Sequence, residues 1–182
     1  ITLPAADVTT QSMGTAITSG GAGSIDVTSM DGAFSQGMGA TIDGGMGGVR
    51  LSASTDLTLW SVATTGDASL IATAGSVEGQ ADATTLSVGG LRIEAGTTIG
   101  AANALQIDAT TLSARAGGSV TITDVAGLTV GDVGVTVQQV GADGTTSAVT
   151  DAAQGDIVTT NDGAVTLTVS TGDLTLNDGH AN

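Results

Sequence analysis

The residues able to do chemistry are few, and their types narrow the options. The only histidine is His180, two residues from the end of the sequence, and cysteine is absent. Nucleophilic catalysis needs a nucleophile with a positioned base, and one histidine in a polar tail does not supply it. The same scarcity removes the thiolate and imidazole ligands of zinc and most transition-metal sites. Carboxylates remain. Asp and Glu number 18 against three Lys plus Arg, for a formal net charge of -15. The bases are Arg50, Arg92 and Arg115. Calcium takes several oxygen ligands, and the stretch with Asp143, Asp151, Asp156 and Asp162 is the candidate region for it. The competing reading is that these aspartates form turns. The Gly-Gly-x-Gly-x-Asp nonapeptide of calcium-binding β-rolls is not repeated. Gly20 to Asp26 approaches it once, with the Asp one place late. Gly44-Gly45-Met46-Gly47-Gly48 is glycine-rich, but no Lys follows it to make a phosphate loop. Polysaccharide lyases on β-helices use paired carboxylates, yet most Asp residues here sit in turn-like sequence. No catalytic, cofactor-binding or metal-binding residue is assigned, and the chain is read as no enzyme. A surface this acidic repels nucleic-acid phosphates. No apolar run is long enough to insert in a membrane.

The elements that carry these residues read as strands. The hydrophobic fraction is 40%, but aromatics make up 1%, with Trp60 and Phe34 as the two large rings. Such a core is built from Val, Ile, Leu and Ala, which suits a narrow interior where strands stack on copies of themselves. A glycine followed by alternation recurs: Gly23-Ser24-Ile25-Asp26-Val27, Gly48-Val49-Arg50-Leu51, Gly90-Leu91-Arg92-Ile93-Glu94 and Gly118-Ser119-Val120-Thr121-Ile122-Thr123. Apolar residues two apart share one face of a strand. The β-branched Thr between them favours extended backbone. No sustained stripe at helical spacing appears.

Repeats suggest a solenoid. Ala83-Thr84-Thr85-Leu86-Ser87 recurs as Ala109-Thr110-Thr111-Leu112-Ser113, and Thr98-Ile99-Gly100 aligns with Thr129-Val130-Gly131. Ser54 to Leu59 echoes Ser170 to Leu176. The expectation is one all-β segment over 1–182, a parallel β-helix whose coils are three short strands with glycine corners. Residues 30–48, with Met30, Met38 and Met46 around Phe34, read as a wide loop, or as an adaptable apolar contact surface. Residues 141–162 read as a loop or an insertion bulging from the solenoid. Stacked Thr on a flat face would order water, as in ice-binding β-helices, but no strict Thr-x-Thr register is visible. No cap is evident at either end, so the chain reads as an internal fragment.

The Gly-x-apolar-x-apolar units, the repeated Ala-Thr-Thr-Leu-Ser and the stretch Asp124 to Val133 resemble the repeat regions of bacterial large exoproteins, the filamentous-haemagglutinin-like surface adhesins. The similarity spans most of residues 48–177. It implies a right-handed parallel β-helix, export to the cell surface and a stalk, filament or fibre role. The expected function is a structural repeat module of a secreted or surface-displayed protein that assembles with itself. The alternative is an adhesin segment that binds a host or neighbouring-cell ligand through its loops.

Overall fold

A computed structural model describes residues 1–80 and 85–178. The chain winds in stacked coils, and no helix occurs among the described residues. Strands β1 (Thr2–Ala5), β2 (Thr9–Gln11) and β3 (Ala16–Thr18) make the first coil. β4 (Ile25–Ser29), β5 (Phe34–Gln36) and β6 (Thr41–Asp43) make the second. The third is β7 (Val49–Ala53), β8 (Leu57–Leu59) and β9 (Ser61–Ala63). β10 (Ala68–Ala72), β11 (Val77–Gly79) and the start of β12 (Thr85–Ala95) follow. From there β12 and β13 (Leu105–Ala116) each run round a corner, closing one coil and opening the next. β14 (Val120–Asp124) and β15 (Leu128–Val130) continue the stack. A hairpin of β16 (Val133–Val140) and β17 (Thr146–Gln154) interrupts it before β18 (Ile157–Thr159), β19 (Val165–Val169) and β20 (Leu174–Leu176). Every pairing between coils is parallel, and the hairpin is the one antiparallel pair among the described strands. The protein is thus an all-β parallel solenoid.

Parallel register follows from the coil. A chain that turns three corners returns to its own row in its original direction, so each strand pairs with the next copy of itself. In the first row Thr2 pairs with Asp26, Asp26 with Arg50, Arg50 with Ser69, Ser69 with Arg92 and Arg92 with Ser113. One coil therefore advances the chain by 24, 24, 19, 23 and 21 residues in turn. Inward columns alternate with these. Val27, Leu51, Leu70, Ile93 and Ala114 stack in one, and Ile25, Val49, Ala68, Leu91 and Leu112 in another. All ten are at most 1% exposed. Burying each large aliphatic side chain stabilises the fold by about 1.5–3 kcal/mol. Beside the corner the column narrows to Ser29, Ala53, Ala72, Ala95 and Ala116, where rows converge and larger side chains have no room. This explains the aliphatic, ring-poor composition.

Three expectations change. The echo at Leu86 and Leu112 is not a coil repeat: Leu86 pairs with Ile107, and Leu112 with Leu91. Ala83 and Thr84 lie outside the described residues. Likewise Ile99 bridges Val120, whereas Val130 pairs with Leu112. Any Thr-Leu alternation fits any row, so local likeness reports strand environment and not register. Second, residues 30–48 are no wide loop. They include β5 and β6 between tight turns, with Phe34 buried at 1% in the second-row core between Thr9 and Leu57. Third, a Thr-x-Thr register does occur, once: Thr121 and Thr123 lie against Thr166 and Thr168. It spans two coils and no more, because Gln106, not a threonine, lies beside Thr123 on the other side.

Candidate functional site

The four aspartates of the calcium reading do not meet. Asp143 lies in the hairpin turn, where its Oδ1 accepts the Thr145 hydroxyl at 2.7 Å and the Thr145 amide at 3.0 Å. These hydrogen bonds, the hydroxyl first, hold its carboxyl below the usual 3.8. Asp151 pairs with Arg50. Asp156 and Asp162 take positive φ, 61° and 56°, and serve as turn residues. Among the described residues no group of three or more His, Asp or Glu is placed to hold a metal. His180 lies outside those residues.

Acidic oxygens are used instead on the backbone of neighbouring turns. Asp67 Oδ1 accepts Gly90 N–H at 2.7 Å, and Asp56 Oδ1 accepts Ser76 N–H at 2.7 Å. Glu78 takes the Ala101 and Ala102 amides, 3.2 and 3.1 Å away. Asp124 is fully buried and accepts Ala109 and Ala126 N–H. An isolated buried carboxylate is costly; here amide donors replace its water.

A second device went unseen in the sequence. Gln11 and Gln36 pair in the second row and point inward, 7% and 0% exposed. Gln36 Nε2 donates to Gln11 Oε1 at 2.9 Å and to Ser61 O at 3.1 Å. Its Oε1 accepts Trp60 N–H and Ser61 N–H. Gln11 Nε2 donates to Thr15 O and Thr41 O, and Gln80 Nε2 to Gln36 O. The amides satisfy backbone groups that a sharp corner takes out of the ladder.

The most elaborate constellation lies on the outer face of the first row. Here the hairpin runs lengthwise along the stack, and β16 touches β1, β4, β7, β10, β12 and β13. Val133, Val135 and Val137 face inward and are buried, with Val149 packed against them. Glycine permits the approach: a Cβ on Gly90 would lie 2.6 Å from Asp67 Oδ1 and 3.1 Å from Val133 Cγ1. The far end is tied by Gln138 N–H to Ser24 Oγ at 2.8 Å and Val140 N–H to Thr2 Oγ1 at 3.0 Å.

Charges under the hairpin are paired across it. Arg50 Nη1 meets Asp26 Oδ1 at 3.1 Å, and its Nε meets Asp151 Oδ2 at 3.1 Å. Gln139 Nε2 donates to the second oxygen of Asp26. Arg92 Nε donates to Ala152 O at 3.1 Å, and its Nη2 meets Glu94 at 2.9 Å. Gln154 Nε2 donates to Ile93 O. Three buried atoms in this column have no partner: Ser69 Oγ, Arg92 Nη1 and Ser113 Oγ. They belong to consecutive coils in register.

The end faces are the remaining sites. At one end Ile1, Leu3 and Val8 are 43%, 42% and 60% exposed. At the other, Val165, Leu174 and Leu176 are 47%, 45% and 72% exposed and border an open apolar recess with Val130, Ile157 and Leu167. The methionines of the glycine corners are also exposed, Met13 at 66%, Met30 at 55%, Met38 at 56% and Met46 at 67%. Only Met13 and Met38 share a corner, where Gly14 N–H donates to Met38 O. No protein-family model, curated protein or solved structure matches the chain.

Proposed function

We propose that the chain is a structural module, a solenoid segment of an extracellular or surface filament or stalk that joins further coils of its own kind on its end faces. The supporting observation is the state of the terminal columns. Leu3 and Leu176 are 42% and 72% exposed, while Leu51 and Leu112 in the same columns are fully buried. Exposed strand edges with unpaired N–H and C=O groups template more pairing. A stack joined head to tail is heterologous and open, and grows into a fibre. Light scattering on the purified chain tests the reading. Mass should rise with concentration, and Leu174→Lys with Leu176→Lys should return it to the monomer. A chain that stays monomeric at millimolar concentration, alone and with any solenoid-terminal coil added in trans, contradicts it.

A second reading, an adhesin segment, is favoured by Met13 and Met38, which are both exposed at one corner of neighbouring coils. Met13→Ser with Met38→Ser should then abolish attachment of chain-coated beads to cells without altering the melting temperature.

A further inference from the structure

We propose that the β16–β17 hairpin is a liftable strap: a separable clip that opens as a unit while the solenoid beneath stays folded. Its point of insertion is the first argument. Val130 pairs with Leu112, and Ile157 pairs with Ala114. Only Ser113 lies between those partners, and Gly131 fills the place opposite it, so the excursion from 132 to 156 is an insertion into one otherwise continuous strand. β13 shows the uninterrupted form one coil earlier.

The cover the hairpin makes is incomplete. The strap is held by three valines, by the Asp26–Arg50–Asp151 triad, and by hydrogen bonds at Ser24, Thr2, Asp26, Arg92 and Ile93. Against this, closing it buries Ser69 Oγ, Arg92 Nη1 and Ser113 Oγ without partners. A polar group stripped of water and left unpaired loses its full hydration. Lifting the strap rehydrates all three and exposes no residue of the main core, because the inward columns face the other way. Closing therefore gains and loses on the same surface, which is the condition for a low-lying open state.

The exit hinge adds a third element. Asp156 holds φ at 61°, a backbone region that side chains other than glycine enter at some strain.

Native-state hydrogen exchange on the whole chain tests the proposal. Amides of 133–154 should exchange together and at least about tenfold faster than those of β7, β10 and β12. Arg50→Met should speed hairpin exchange further, by about tenfold, and leave β10 unchanged. Ser69→Ala with Ser113→Ala should slow it about fivefold, since the unpaired hydroxyls are gone. A chain lacking 132–156, with Gly131 joined to Ile157, should keep its sheet spectrum and the protection of β7 and β10. A single shared exchange rate for hairpin and β10, moved together by Arg50→Met, overturns the proposal, as does loss of the fold on excision.

Discussion

At the scale of single residues, the polar side chains serve the backbone. Gln36 satisfies Trp60 and Ser61 N–H and Gln11 Oε1 at one corner. Gln36→Leu keeps the volume and strands these groups, at roughly 1–3 kcal/mol for each one left buried and unpaired. Urea denaturation should therefore show a loss of at least about 2 kcal/mol, with an unchanged slope. This amide pair went unread in the sequence, although a signal for it lies in a repeat over the corner. Gln11-Ser-Met13-Gly14 and Gln36-Gly-Met38-Gly39 are 25 apart, each followed three residues later by Ile17 or Ile42, and the coils pair these strands in that register. Identity over a corner marks register, because a corner needs particular residues; identity within a strand does not. Asp143 makes a different prediction. Its folded carboxyl is depressed below 3.8 by the two Thr145 donors. The stabilisation is present above the ordinary value and is lost as pH falls through the lower folded value. The Thr145 amide resonance should stay fixed from neutral pH to about 4 and move only below it, whereas Asp143→Ala should remove the step.

Elements were legible where alternation and glycine coincide. Gly48 to Leu51 and Gly118 to Thr123 became β7 and β14, as their pattern dictates. Residues 30–48 did not read as strands because β5 and β6 hold three residues each, too few for period two to stand out among glycines. The hairpin was half legible. Val133, Val135 and Val137 alternate cleanly, but β17 is exposed along most of its length and offers no apolar stripe. Its docking depends on partners more than 100 residues away, such as Asp151 with Arg50, which local pattern cannot report. Corner glycines carry a sharper test. A Cβ on Gly117 would lie 2.0 Å from Gly96 O, where backbone cannot yield without parting two coils. Gly117→Ala should lower the thermal midpoint by several degrees, about 1–3 kcal/mol of stability, whereas Gly144→Ala, with open space around it, should cost only the strain of its positive φ, about 1 kcal/mol.

At the scale of the molecule, parallel stacking makes the two ends alike in kind: each presents a coil edge and part of an apolar core. A net charge of -15 opposes the joining of such ends, since like-charged rods repel. Salt shortens that repulsion to about 10 Å at 0.1 M and leaves apolar burial intact. Association of the chain should therefore rise with sodium chloride, as followed by light scattering, and Arg50→Met should not change that slope. A fall with salt would mean that ion pairs and not apolar columns join the ends. The central claim, a parallel coil stack that is continued by more of its own kind, is tested most directly by electron microscopy of the concentrated chain with diffraction from aligned material. The prediction is rods longer than one chain with an axial strand repeat of about 4.8 Å. Isolated compact particles without that axial repeat would contradict it.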